Sequence, residues 1–194
     1  MWKSKILISV LVLLCMACAK NDNNAPTILD IHCIDGFGNP DPGAAVFVYA
    51  TYSDWLNNTN PVYSETTDAN GNVSLVGLGP QQYYLWCQDT YNCLLNWNSQ
   101  TTNGPLNPHT TNSINVVLTG YGTLKVTNTS PGQNPYEIKV NGQVWINNLG
   151  YNQYATEILP VGNALVEAIQ LNGSTDNSYS VTILQCQTSA LNIP

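Results

Sequence analysis

From residue 28 onward the chain is a succession of short apolar and polar alternations separated by turn-forming residues. Leu29, Ile31 and Cys33 alternate with Asp30 and His32, the two-residue period of a strand with one buried face. Similar segments occupy residues 46–49, 62–67 and 73–75, then the alternation of Tyr83, Leu85 and Cys87, then residues 114–118. After Gly120-Tyr121-Gly122, a candidate joint, the pattern restarts at Leu124 and Val126, continues at Tyr136, Ile138 and Val140, and then at Val144 and Ile146. Later strands are expected at 154–159, 165–171 and 179–184. Asn70-Gly71 and Asn141-Gly142 suit turns that need positive φ. No stretch of ten residues or more carries a 3.6-residue apolar period. The expectation is an all-β chain of two tandem small antiparallel β-sandwiches, over residues 27–119 and 120–194.

The first residues follow other rules. Met1-Trp2-Lys3-Ser4-Lys5 is a basic head, residues 6–14 are apolar, and Cys15-Met16-Ala17-Cys18 follows. That is the layout of a secretory signal, and the apolar run falls short of the roughly 20 residues a spanning helix needs. The cut site resembles a bacterial lipobox, with Ala17 as the small residue before a lipid-modified Cys18. Cys15 and Met16 depart from the usual pattern. The resemblance implies a signal peptide at 1–17, lipidation at Cys18 and a flexible spacer at 18–26. Ala19 stands where Asp would signal inner-membrane retention, so the outer membrane is expected. Lys20-Asn21-Asp22 resembles a surface-export tag.

Charge narrows the partners. The chain has 5 basic and 12 acidic residues and no arginine. Removing residues 1–17 leaves Lys20, Lys125 and Lys139, for a net charge near −9. Nucleic-acid affinity rests mainly on Lys and Arg at phosphates, so nucleic acid is excluded as a partner. Adsorption to anionic lipid is opposed for the same reason, which leaves acylated Cys18 as the contact with membrane lipid. Polarity comes instead from Asn, Gln, Ser and Thr, a surface able to hydrogen-bond neutral polar ligands such as sugars.

Several ordered segments carry a family resemblance. Cys33-Ile34-Asp35, then Gly38-Asn39-Pro40-Asp41-Pro42-Gly43, then Thr67-Asp68-Ala69-Asn70-Gly71, then Leu78 to Leu85 with Pro80 and Tyr83, resemble the carboxypeptidase regulatory-like domain, a transthyretin-like β-sandwich. The resemblance spans about residues 28–118. Gln81 replaces a family Gly, and the stretches 51–61 and 91–109 depart from the pattern. It implies a non-enzymatic spacer or interaction module with no catalytic residues to carry over. Residues 122–128 with Asn134-Pro135-Tyr136 resemble the small C-terminal sandwich of some outer-membrane lipoproteins, an Ig-like or related fold.

Candidate chemistry is sparse. His32 falls on the solvent side of a strand and His109 in a loop. No nucleophile elbow, zinc-protease helix or phosphate loop is present. A hydrolase acting on glycans through two carboxylates remains the enzymatic alternative to a non-enzymatic reading. Asp68 to Asn72 alternates oxygen ligands but lacks the remaining calcium-loop positions, and turn chemistry accounts for it. No metal and no cofactor are expected. Cys33, Cys87, Cys93 and Cys186 can pair in three ways. Cys33 and Cys87, both facing inward in one unit, are suited to bridge or to pack as small apolar groups. Trp55, Trp97 and Tyr91 lie in long connections, where aromatic side chains either hold sugars or protein partners or cover the end of a sandwich. The expected function is a lipid-anchored envelope protein displaying two sandwiches for binding or adhesion to glycan or protein. The alternative is a structural or accessory subunit of an outer-membrane complex.

Overall fold

The alternating segments become fourteen strands and one short helix in the computed structural model, which describes residues 24–97, 101–173 and 176–194. The expected signal peptide, Cys18 and spacer residues 18–23 lie outside the described residues. The strands are β1 (Ile28–Ile34), β2 (Ala45–Tyr49), β3 (Tyr63–Thr66), β4 (Asn72–Val76), β5 (Tyr84–Asp89), β6 (Leu94–Leu95) and β7 (Thr111–Val117). They continue as β8 (Thr119–Asn128), β9 (Tyr136–Val140), β10 (Gln143–Leu149), β11 (Tyr154–Pro160), β12 (Gly162–Gln170), β13 (Asp176–Ile183) and β14 (Thr188–Ile193). Helix α1 (Tyr52–Asn57) lies between β2 and β3. Among the described residues no helix is long and apolar enough to cross a membrane.

Inward-facing residues form two apolar clusters. Leu29, Ile31 and Cys33 of β1 meet Val46, Val48, Leu85, Cys87 and Val116 in the first. Leu124, Val126, Ile138, Val166, Ala168, Ile183 and Ile193 make the second. Each cluster is closed by two sheets. In the first, β4-β1-β7 faces β3-β2-β5-β6; in the second, β10-β9-β12-β13 faces the part of the other sheet built on β8. The all-β sandwich expectation holds, with one refinement. Two pairings are parallel, β1 with β7 and β14 with β8. Each joins strands far apart in sequence, and such pairing needs a long crossover.

The expected joint at Gly120-Tyr121-Gly122 is part of a strand. β8 pairs with β6 through Gly120 and Thr119, and with β11 and β14 further along. One seven-stranded sheet therefore runs through both sandwiches. Facing does not change along β8. Leu118 enters the first core, and Leu124 and Val126 enter the second, so even-numbered positions face inward throughout. Thr119, Tyr121, Thr123 and Lys125 share one outer face.

A covalent clamp reinforces the joint. Cys93 and Cys186 are bonded, with Cα atoms 5.4 Å apart. Around them Tyr121 N–H donates to the Cys93 carbonyl at 2.8 Å, and Cys186 N–H donates to the Tyr121 carbonyl at 3.0 Å. Gln185 Nε2 also donates to the Asn92 carbonyl at 2.6 Å. The bond thus closes the gap between the starts of β6 and β14 along one edge of β8.

Turn chemistry follows the sequence closely in two places. Asn141 and Gly142 have φ of 50° and 79°, the two positive angles of a type I′ hairpin. At the other turn only Gly71 is left-handed, at 74°, and a Cβ there would stand 2.5 Å from the Cys33 carbonyl oxygen. Gly71→Ala should therefore cost about 1–2 kcal/mol from strain and contact together, measured as a lower denaturant midpoint.

Candidate functional site

The most chemically distinctive surface is an aromatic cluster on the outer face of the shared sheet. It starts from α1, a helix of six residues, too short to persist without packing. Its N-cap Thr51 accepts from Asp54 N–H at 3.1 Å, and the Thr51 hydroxyl donates to Asp54 Oδ2 at 2.6 Å. Asn58 ends the helix in the left-handed region, φ 49°, and the Tyr49 hydroxyl donates to the Asn58 side-chain oxygen. Hydrogen bonds from Thr51 first, then Asn60, hold the Asp54 carboxyl below the usual carboxylate range.

Tyr52 and Trp55 lie one helical turn apart and therefore on one side. That side rests on β5. The ring centroids of Tyr52 and Trp55 are 5.6 Å apart, Tyr52 and Tyr84 5.7 Å, and Trp55 and Tyr84 6.4 Å, all within the favourable range for tilted aromatic pairs. Trp55 Nε1 donates to the Leu85 carbonyl at 3.0 Å, so the indole is half-buried and fixed. Tyr52 is 55% exposed. Because Leu85 and Cys87 face the core, Tyr84, Trp86 and Gln88 face outward. Trp86 lies opposite Phe47 of β2. Trp86 Nε1 donates to Gln88 Oε1 at 3.4 Å, and Gln88 Nε2 donates to the Tyr121 hydroxyl at 3.0 Å. The outer face is thus continuous from α1 to β8. Farther along it, Lys125 Nζ sits 4.5 Å over the Tyr154 ring.

The predicted site residues separate. Trp55 belongs to this cluster. Tyr91 is 90% exposed in the turn before Cys93, and its carbonyl lies beside Cys186 Sγ. Trp97 is half-buried beyond β6, and its Nε1 is enclosed without a hydrogen-bond partner. Tyr52 and Tyr84 were not anticipated as site residues. The outward parity of β5 was the signal that identifies Tyr84. His32 hydrogen-bonds Asn72 across strands at 2.8 Å, and His109 reaches the Ala25 carbonyl at 2.7 Å. Asp68 Oδ1 accepts from Asn70 and Asn72 N–H, each at 2.8 Å, so its oxygen is engaged in the turn. Among the described residues no group of three or more His, Cys, Asp or Glu side chains could hold a metal ion.

The cysteines stand differently from the pair singled out above. The bond in the structure is Cys93–Cys186, and Cys33 and Cys87 stand as thiols. Both are wholly buried in the first core. They are in side-chain contact, and the hydrogen bond with Cys33, reinforced by burial, raises the Cys87 thiol well above its ordinary value.

A pair of carboxyl groups was also missed, because its members are distant in sequence. Asp41 is 5% exposed and Asp89 7%. Asp89 accepts from Tyr91 N–H, Asn92 N–H and Asn92 Nδ2 at 2.8, 3.0 and 2.6 Å. Burial, with Asp89 second, pushes the Asp41 carboxyl up to about 6. The folded protein therefore holds a proton at Asp41 that the unfolded chain loses near the ordinary carboxyl value of 3.8. Stability from this group falls as pH rises between those values and stays lowered above them. Asp41→Asn should then gain about 1–2 kcal/mol at pH 7 and nothing below pH 4, read from denaturant midpoints of variant and parent across pH. Asp41 lines a cleft of about 590 Å³ between the sandwiches, with Leu94, Leu118, Val161 and Gln185. Asp89 ends β5 and Tyr84 begins it, roughly 16 Å apart along an extended strand. The carboxyl pair and the aromatic cluster do not share one cleft.

No family model matches the chain, and no curated protein does. Solved structures similar to it include the Bacillus anthracis TIE protein, at 14% identity and TM-score 0.39, covering 87% of this chain and 33% of that one. A streptococcal ancillary pilin is similar at 14% identity and TM-score 0.41, over 86% of this chain and 62% of the pilin. The minor pilin of Streptococcus agalactiae is similar at 13% identity and TM-score 0.34, over 86% of this chain and 94% of that one. The chain spans a third and just under two thirds of the first two.

Proposed function

We propose that this protein is a non-enzymatic, exported and lipid-anchored envelope protein that holds two β-sandwiches as one arm and binds glycan or protein through its outer sheet face. The Tyr52–Trp55–Tyr84 cluster carries the reading. Aromatic rings fixed on a rigid sheet can stack on sugar rings or anchor a protein partner at little entropic cost. The surrounding amides and hydroxyls add neutral hydrogen bonding. The separation of the carboxyl pair from the tryptophan favours binding over glycan hydrolysis, which needs both carboxyl groups at one substrate. The Cys93–Cys186 bond fits an oxidising compartment, in keeping with export, Cys18 lipidation and an outer-membrane location.

The test is a glycan and envelope-protein binding screen with the full chain and with Tyr52→Ala, Trp55→Ala and Trp97→Ala. Binding should weaken at least tenfold for Trp55→Ala and less for Tyr52→Ala, with Trp97→Ala unchanged. Absence of any ligand, or binding indifferent to Trp55 and Tyr52, sinks the recognition reading. A second reading, an accessory subunit with no ligand of its own, is favoured by the fixed Trp55 Nε1, which helps seat α1 on the sheet. For the anchor, Cys18→Ala should abolish lipid labelling and release the protein from the membrane fraction.

A further inference from the structure

We propose that Cys33 and Cys87 form a second disulfide in the mature protein, joining the two sheets of the first sandwich. Cys33 lies on β1 of one sheet and Cys87 on β5 of the facing sheet. Both side chains are wholly buried in the same apolar cluster and touch each other. Their backbones are anchored where they stand. Cys33 N–H donates to the Gly71 carbonyl at 2.8 Å, and Cys87 N–H donates to Asn96 Oδ1 at 2.9 Å. Two thiols in contact within one core can bond once both are exposed to an oxidant. The chain already carries one disulfide, so a fold made where that bond forms offers the same oxidant to this pair.

The reaction balances with an exchangeable disulfide, such as that of a dithiol oxidase or oxidised glutathione. One cysteine thiolate attacks the oxidant sulfur and breaks its S–S bond, giving a mixed disulfide and one released thiol. The second cysteine then displaces the other oxidant thiol. One protein S–S bond forms, one oxidant S–S bond is lost, and the two protons and two electrons leave on the oxidant thiols. Burial sets when this happens. Folded, neither thiol meets an oxidant, and the Cys87 thiol is held protonated, so attack is suppressed. The bond must form before the core closes.

The experiment refolds the full chain from the reduced, unfolded state in a glutathione redox buffer. The product is quenched in acid, unfolded, alkylated without reduction and mapped by peptide mass. The expected result is a Cys33–Cys87 cross-linked peptide beside the Cys93–Cys186 one, with no alkylation at residues 33 or 87. The same oxidant added after reduced chain has folded should give at least tenfold slower loss of those two thiols. Cys33 and Cys87 both alkylated after oxidative refolding overturn the proposal, whatever the state of Cys93 and Cys186, and so does pairing of either with Cys93 or Cys186. Because the oxidant is supplied, the outcome does not depend on where the protein resides or what it binds. The Cys33→Ala, Cys87→Ala double variant checks that the mapped cross-link is lost while the Cys93–Cys186 peptide persists.

Discussion

Replacing Cys186 with serine should lower the unfolding free energy by about 4–5 kcal/mol, the largest single-residue effect expected in this chain. The Cys93–Cys186 bond encloses a 93-residue separation that contains the second core except for its β14 residues, Leu191 and Ile193. On the chain-entropy account, a cross-link closing a loop of that length removes about 4–5 kcal/mol of freedom from the unfolded ensemble. Folded-state strain works in the opposite sense and holds the loss toward the lower end of that range. Cys93 and Cys186 both sit in left-handed backbone, φ 52° and 56°, a conformation non-glycine residues hold at a cost. Their turns are gripped by Tyr121 and by Gln185, and freeing one sulfur lets both turns relax. The measurement is guanidinium unfolding of Cys186→Ser and Cys93→Ser under identical conditions. The two variants should lose the same amount, and the double variant no more than either alone. A loss below about 1 kcal/mol means that the shared strand β8 alone fixes the second sandwich.

What the sequence disclosed follows from the range of each interaction. Most strands from β1 to β13 announced themselves through alternation, because one buried face imposes a period of two within a few residues. β6 did not, since Leu94-Leu95 is too short to show any period. β14 did not either. Its six residues alternate only weakly, and its place is set by pairing with β8, about 65 residues earlier. Helix α1 lies below the ten-residue window in which a 3.6 period is visible. Its start is nonetheless written as Thr51-x-x-Asp54, a cap signature inside a stretch that departs from the family pattern. Parallel pairing of β1 with β7 leaves no local trace at all.

The candidate site divides along the same line. Trp55 was legible as a tryptophan in a connection, but its partners Tyr52 and Tyr84 became site residues only when α1 folded onto β5. Asp41 and Asp89 are 48 positions apart, and nothing in either neighbourhood records that they face each other. The cysteine connectivity is likewise a property of the assembled fold. Inward parity put Cys33 and Cys87 in one core, whereas Cys93 and Cys186 meet only because β6 and β14 line the same edge of β8.

Gly122→Ala should cost close to 3 kcal/mol, at the upper end of the overpacking range of about 1–3 kcal/mol. The glycines at 120 and 122 read from sequence as a joint, yet both lie inside β8 and neither has positive φ. Their reason is proximity. A Cβ on Gly122 would stand 2.2 Å from the Leu184 carbonyl oxygen and 3.0 Å from that of Gln187. Both are backbone atoms of the turn that carries Cys186, so neither can rotate away. A Cβ on Gly120 would meet the Gln185 side chain at 2.9 Å and Val161 Cγ2 at 3.0 Å, and a flexible glutamine can yield. Gly120→Ala should therefore cost less than about 1 kcal/mol. The comparison is read from denaturant midpoints, with amide exchange at Tyr121 and Cys186 as a second measure. Gly122→Ala should accelerate exchange at both, because the added methyl lifts the turn that grips Tyr121. Equal, small effects from the two substitutions, with slow exchange retained, contradict close approach and leave this segment a joint between units instead of a packed strand. A rigid joint matters for the proposed role, since it makes the outer face from Trp55 through Tyr121 to Lys125 a single surface that two independently moving sandwiches do not offer.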